Sequence, residues 1–448
     1  HFYTQEGFDF SLPKAALAEK GFSTYRWANQ APAERKAVLV RWAELIEKHA
    51  DELALLETLD VGKPISDTVN VDVPATVRTI RWSGEAIDKV YDEIPPTPAD
   101  TLALVQRLPL GVVAAIVPWN FPLSTTAWKL APSLATGNSV ILKPASNTPL
   151  SALRIAGLAT EAGLPDGVLQ VLPGPGGSLG RHLSLHEDID GLTFTGSTEI
   201  GKQLMRYSGE SNLKRTFLEL GGKSPNIVFA DSNLEKAATF AAIAVFYNGG
   251  QTCTAGTRLI VEDSIRERFV DMVVEKSRDW MPGNPLDPAT TMGPMIDAAQ
   301  LKTVADYVNI GQEEGASLMF GGKQVMADSG GCYHEPTVFD DVNNDMRIAR
   351  EEVFGPVLSV IGFKDAAEAV RIANDSIYGL AGAVWCNNIN IAHKVAAAVR
   401  VGTMGINNYF GGDITVPFGG FKQSGFGREF GREALNYYTE PKTVFVGT

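Results

Sequence analysis

A thiol ringed by small residues is the first candidate for chemistry in this chain. Cys253 lies in Asn248-Gly-Gly-Gln-Thr-Cys-Thr-Ala-Gly256, between an apolar helical run at 237–246 and a strand-like Arg258-Leu-Ile-Val261. Glycines on both sides let a ligand approach closely. The loop alone describes equally well a thiol packed as a small hydrophobe, as most free cysteines are. Glu219 sits in apolar Phe217-Leu-Glu-Leu, directly before Gly221-Gly222. Burial opposes ionisation of such a carboxyl, and a raised pKa suits a general base near neutrality. The competing role is a cap on a neighbouring helix. Asn120, in Pro118-Trp-Asn-Phe-Pro122, offers an uncharged donor after an apolar run, or belongs to a turn built on its two prolines.

Further residues would suit a nucleotide. Lys143, opening Lys143-Pro-Ala-Ser146, is well placed for a ribose hydroxyl or phosphate, or is merely solvated. Thr195-Gly-Ser-Thr-Glu-Ile-Gly201 opens a helix, whose free N–H groups and dipole favour a phosphate. It lacks the usual Gly-x-Gly-x-x-Gly spacing, and Gly174-Pro-Gly-Gly177 is a weaker glycine cluster. Glu351-Glu-Val-Phe-Gly-Pro356 sets a carboxylate near an aromatic, fit for a ribose and a flat ring or for a solvated helix end. Pro417 to Glu429 is too glycine-rich for a core element and reads as a loop over a site. Thiol, carboxylate, amide and phosphate cradle make sense together as covalent oxidation of an aldehyde. The thiolate adds to the carbonyl, Asn120 and the Cys253 N–H stabilise the oxyanion, hydride leaves to a nicotinamide to give a thioester, and Glu219 activates water to hydrolyse it. A cysteine-dependent thioester hydrolase and a non-enzymatic binding protein are the readings from other classes.

Secondary structure must carry these groups. Helical spacing runs over 31–59 and again over 72–90. The stretch 91–108 combines a proline-rich breaker with a short alternating strand and reads as a protruding hairpin. From 111 the chain alternates strand and helix: strands at 111–117, 139–142, 168–172 and 192–194, helices at 124–135, 149–162, 179–185 and from 198. That order implies a doubly wound parallel sheet, with ligands at the strands' carboxyl ends. A second α/β set follows Gly222, with strands near 226–229, 259–261, 336–339, 357–361, 381–385 and 403–406. The expected domains are 1–90 with 110–221 for the cofactor, 222–428 for catalysis, and 91–109 with 429–448 as a small β unit. Residues 1–20 show little periodicity.

Composition narrows the classes. The chain has 448 residues, enough for two or three cores, and 44% apolar content is ordinary for a globular protein. A net charge of −13 argues against nucleic acid and anionic membranes. Three distant cysteines and six scattered histidines form neither a disulfide framework nor a metal spacing, so no metal is expected and a reducing cytoplasm is the expected compartment.

The chain resembles the aldehyde dehydrogenase superfamily. Pro118 to Pro122, Leu142-Lys-Pro, Phe194 to Gly201, Leu218-Glu-Leu-Gly-Gly-Lys223, Gly250-Gln-Thr-Cys253, Glu352 to Pro356 and Pro417 to Gly425 match its motifs in order, as does the 34-residue interval from Glu219 to Cys253. The resemblance implies Cys253 as nucleophile, Glu219 as general base and Asn120 in the oxyanion hole, with Lys143 in the catalytic set. It implies cofactor contacts by Trp119, Lys143, Ser197, Glu352 and Phe354, extended to Val117, Ser146, Gly176, Gly196 and Leu220. Phe121, Trp128, Thr252, Thr254, Tyr409, Asp413 and Phe418 are the expected aldehyde pocket. The family's oligomerisation unit, a hairpin plus C-terminal strand, implies a homodimer or homotetramer. Leu53 to Pro64, Ala86 to Tyr91 and Gly412 to Gly420 are most similar to bacterial oxidisers of ω-aminoaldehydes, namely γ-glutamyl-γ-aminobutyraldehyde and 4-guanidinobutyraldehyde dehydrogenases of polyamine and arginine breakdown. A broad-specificity or semialdehyde dehydrogenase is the alternative within the family. Asp413 either pairs with a cationic tail or caps a turn. The family's usual strand-rich opening looks short here. Ser146 stands where many NAD-preferring members carry glutamate, so NADP or NAD is the expected cofactor, with NADP acceptance favoured.

Overall fold

The computed structural model describes residues 27–409 and 412–447, so the weakly periodic opening segment lies outside the described residues. In chain order the strands are β1 (Thr101–Pro109), β2 (Val112–Ile116), β3 (Ser139–Lys143), β4 (Leu169–Val171), β5 (Gly191–Thr195), β6 (Arg215–Glu219), β7 (Pro225–Val228) and β8 (Arg258–Glu262). Then come β9 (Ser317–Phe320), β10 (Gln324–Val325), β11 (Tyr333–His334), β12 (Thr337–Asp340), β13 (Val357–Phe363), β14 (Ala381–Trp385), β15 (Thr403–Ile406), β16 (Gly425–Phe426) and β17 (Thr439–Gly447).

The apolar runs build two sheets. The first has the order β16-β6-β5-β2-β3-β4, parallel apart from β16. Val113, Ala114 and Ala115 of β2 are fully buried, as expected for a central strand covered on both faces. The second has the order β15-β14-β7-β8-β13-β12-β9, parallel apart from β9. Helix Pro122–Ala135 follows β2, and helix Leu150–Glu161 follows β3. Their apolar faces join those of Pro32–Lys48 and Val73–Ala86 in one core. The helical spacing over 31–59 resolves into two helices, Pro32–Lys48 and Ala50–Val61.

The stretch 91–109 departs from the expected hairpin. Its first arm contributes a single bridge, Glu93 to Val105. The true partner of β1 is β17, antiparallel over nine pairs from Thr101–Gly447 to Pro109–Thr439. The prolines of the 91–98 segment explain this, since they cannot donate to a ladder. The ribbon leaves Phe445 and Leu102 exposed, and Tyr91 and Ile94 beside it are exposed too. Residues 425–426 pair with β6 at the edge of the first sheet. Among the described residues no helix is long and apolar enough to cross a membrane.

The turn before Cys253 sets the strictest backbone demand. Asn248, Gly249 and Gly250 all have positive φ, at 52°, 61° and 72°. A Cβ on Gly250 would stand 2.2 Å from the carbonyl oxygen of Gly355. Gly250→Ala therefore meets both a left-handed backbone and a backbone clash, and its cost exceeds the ~1 kcal/mol of a compatible Gly/Ala exchange. Thermal melting should show a lower midpoint for the variant, with activity reduced even at temperatures where it stays folded. An unchanged midpoint would mean that the turn tolerates a side chain.

Candidate active site

The first sheet delivers its candidates at its carboxyl edge. The loops after β2, β3, β5 and β6 carry Asn120, Ser146, Ser197 and Gly221, while Lys143 and Glu219 are the last residues of β3 and β6. The second sheet supplies the thiol. Helix Leu234–Phe246 runs into the left-handed turn, and the chain then passes Cys253 before entering β8. Asn120 joins the two sides. Its buried Nδ2 donates to the carbonyl of Gln251 at 2.9 Å, and Asn248 Nδ2 donates back to the Asn120 carbonyl at 3.0 Å. One amide N–H of Asn120 remains for a ligand oxygen near Cys253.

Glu219 is 3% exposed. It is wedged between Thr195 of β5 and Gly425 of β16. Neither carboxylate oxygen has a well-aligned partner among the described residues, and the Cys253 thiol beside it is the group that offers a proton. Burial pushes the Glu219 carboxyl up to about 8. Lys129 opposes that shift, while the negative Glu429 and Glu352 add to it. Burial likewise pushes the Cys253 thiol well up, reinforced by the charges of Glu219 and Glu352 and opposed by the Thr254 backbone N–H. The thiol is thus protonated at rest, beside a carboxyl whose own pKa is held at about 8.

Lys129 and Glu429 form a buried ion pair across 300 residues of sequence. Sequence reasoning passed over Lys129, although a lone lysine in the apolar helix after Pro122 was a usable signal. Glu429 lay within the segment read only as a loop over the site. Lys223, also missed as a single residue, is buried with an unpartnered amine whose pKa burial and Arg258 bring down to about 7.

The nucleotide candidates form a second group. Glu352 accepts the Gly222 N–H at 2.9 Å, and burial holds its carboxyl up at about 7. A Cβ on Gly221 would stand 2.2 Å from that carboxylate, so the glycines admit it. Phe354, at φ 55°, meets Trp119 edge-on with ring centres 5.3 Å apart. Ser197 caps helix Thr198–Glu210 and is exposed, with Gly196 bound through its N–H to the Glu219 carbonyl. Lys143 is buried and donates to the Pro144 carbonyl at 2.8 Å. Ser146 is exposed and donates to the Gly174 carbonyl. Gly176 begins the helical turn Gly176–Gly180, Val117 bonds the Lys143 carbonyl, and Leu220 bonds the Ser424 carbonyl. An exposed helix N-terminus, glycine-lined approaches and a carboxylate beside two aromatic rings fit a dinucleotide.

The expected aldehyde pocket is partly assembled around these groups. Phe121 stacks on Tyr247 at 6.2 Å, and Trp128 meets Phe418 and Phe430 edge-on. Tyr409 donates to the Thr254 carbonyl at 2.6 Å, and the Thr252 hydroxyl is buried without a partner. Asp413 is the exception. It is exposed, and one oxygen accepts both the N–H and the hydroxyl of Thr415. Of its two sequence-level readings, the turn cap is the one the geometry displays.

The Aldehyde dehydrogenase family model matches residues 12–444. The chain is 51% identical to the NADP/NAD-dependent aldehyde dehydrogenase PuuC of Escherichia coli over 442 residues, covering 98% of this chain and 88% of the relative. Among solved structures, an indole-3-acetaldehyde dehydrogenase in complex with NAD+ superposes with a TM-score of 0.95 at 58% identity, over 96% of this chain and 87% of that one. The γ-glutamyl-γ-aminobutyraldehyde dehydrogenase of Burkholderia cenocepacia superposes with a TM-score of 0.94 at 53% identity, over the same shares.

The raised thiol pKa has a direct consequence. Without added ligands, the alkylation rate of Cys253 by iodoacetamide should keep climbing beyond pH 8.5, followed by peptide mass spectrometry. A plateau below pH 7.5 would show a thiolate already formed at rest.

Proposed function

The chain belongs to the aldehyde dehydrogenase family, and on that premise we propose that it oxidises an ω-amino- or guanidino-aldehyde to the carboxylic acid with NAD or NADP, through covalent attachment to Cys253. The observation that carries this reading is the meeting of Cys253, Glu219 and Asn120 at the junction of two sheets. Substrate class is supported by PuuC and by the γ-glutamyl-γ-aminobutyraldehyde dehydrogenase. A neutral aromatic aldehyde is the second reading, favoured by the 58% identical indole-3-acetaldehyde enzyme and by the turn-capping role of Asp413.

The residues act in sequence. The Cys253 thiol gives up its proton to solvent, and the thiolate adds to the aldehyde carbon. The free N–H of Asn120 and the Cys253 backbone N–H stabilise the hemithioacetal oxyanion. A nicotinamide bound there would supply the acceptor for the hydride that the hemithioacetal must lose to become a thioester on Cys253. Lys143, Ser197, Glu352 and Phe354 would hold that cofactor, with Trp119 against Phe354. Glu219 then deprotonates the water that hydrolyses the thioester. Lys129 tempers its basicity, and Glu429, paired with Lys129, works in the opposite direction.

Outside the site, our reading assigns the described residues of 1–90 and 110–221 to a cofactor domain and those of 222–428 to a catalytic domain. The β1–β17 ribbon belongs to a homo-oligomer interface, supported by its exposed Phe445, Val446 and Leu102. A cytoplasmic enzyme of polyamine breakdown is the setting that this substrate class implies.

Two measurements test the reading. The Glu219 carboxyl, held at about 8, is mostly protonated at pH 7, so kcat should rise between pH 6.5 and 8.5 as it ionises. Glu219→Gln should abolish that limb and slow turnover while sparing a burst of reduced cofactor. Loss of the burst would give Glu219 an earlier, indispensable role. Ser146 presents no carboxylate to a 2′-phosphate, so kcat/KM with NADP should be at least comparable to that with NAD. A strong NAD preference would remove Ser146 as the determinant.

A further inference from the structure

Behind the Asn120 turn lies a group of buried charges that the chemistry above does not use. Glu57, Lys63 and Asp72 sit at 0%, 1% and 0% exposure. Lys63 Nζ donates to both Asp72 oxygens, at 2.9 and 3.0 Å, and lies 3.7 Å from the centre of the Phe121 ring. Glu57 Oε1 accepts the Leu123 N–H at 3.0 Å, and Oε2 accepts the Ser151 hydroxyl at 2.7 Å. Ser124 makes a long 3.5 Å contact with Asp72.

These contacts converge on one place. Helix Pro122–Ala135 has no side-chain cap from Phe121, and Pro122 has no N–H. Leu123 offers the first N–H of that helix, and a carboxylate 66 residues away receives it. The same carboxylate holds Ser151 at the start of the helix after β3. Asn120 lies between the anchored ring of Phe121 and β2, where a shift of a fraction of an ångström would move its free N–H off the oxyanion position. Apolar residues in these places would be as good or better for stability, because buried ion pairs seldom recover their desolvation cost. Directional anchoring is what charges add.

We propose that Glu57, Lys63 and Asp72 are positioning residues, a buried clamp that sets the Asn120 turn and so the strength of the oxyanion hole. The clamp rests on the assignment of Asn120 as oxyanion donor. It acts from behind the pocket and touches neither aldehyde nor cofactor.

The test is a double-mutant cycle on the burst of reduced nicotinamide, at saturating aldehyde and cofactor and normalised to titrated Cys253. Lys63→Met and the isosteric Asp72→Asn should slow the burst tenfold or more, with the cofactor KM within twofold of the parent. Glu57→Gln, which keeps an acceptor for the Leu123 N–H and puts a donor in place of the oxygen facing Ser151, should slow it less. Combined with Asn120→Ala, Asp72→Asn should add no further loss, because both act on one donor. The isosteric variants carry the test should Lys63→Met fail to fold. An unchanged burst in the clamp variants, or losses that multiply with that of Asn120→Ala, would reduce the clamp to a stability element. If Asn120→Ala itself left the burst intact, the oxyanion assignment would fall, and the clamp's catalytic role with it.

Discussion

One hydrogen bond holds the two halves of this chemistry in register: the Asn120 amide to the Gln251 carbonyl, answered by Asn248 to the Asn120 carbonyl. Asn120 follows the central strand of the first sheet, and Gln251 stands two residues before the thiol entering the second. Their buried amide contact spans 131 residues of chain. It joins the loop of the oxyanion donor directly to the loop of the nucleophile. The left-handed turn at 248–250 exists to make that meeting possible. Gly250 must approach the Gly355 carbonyl, and Asn248 must turn its side chain inward.

Desolvation then does the electrostatic work. Glu219 and Glu352 share one water-poor region with the thiol, and each raises the pKa of Cys253. Desolvation is the largest cause for each of the three groups. The two carboxyls are thereby brought to about 8 and about 7, where a fully solvated carboxylate would be too weak a base, while the thiol is pushed well above its ordinary value. The short strand β16 matters here because it covers Glu219 on the side opposite β5.

Much of this was legible before any coordinates. Near-continuous apolar runs marked the parallel strands, and glycines and prolines marked where they end. Cys253, Glu219 and Asn120 each had a structural alternative at least as good on local grounds, and the family motifs in order were what singled them out; in the structure they lie together. What escaped has a common cause. The β16–β6 pairing, the Lys129–Glu429 pair and the contact from Glu57 to Leu123 link residues from 66 to 300 positions apart. Local periodicity carries no information about such partners. The antiparallel β9 was missed because Ser317–Phe320 is short and half-exposed. The hairpin over 91–108 was misjudged because β1 has the alternation of any ribbon strand, whereas grouping 91–109 with 429–448 did join it to the segment that holds its partner β17.

The central claim is a covalent acyl intermediate on Cys253 that Glu219 is needed to release. Rapid acid quench of Glu219→Gln after mixing with aldehyde and cofactor, followed by intact-mass and peptide mass spectrometry, tests it most directly. The account predicts an acyl adduct of the substrate's mass on the peptide containing Cys253, accumulating towards one per chain. Burst formation of reduced cofactor with no adduct, or with the adduct on another residue, would contradict it.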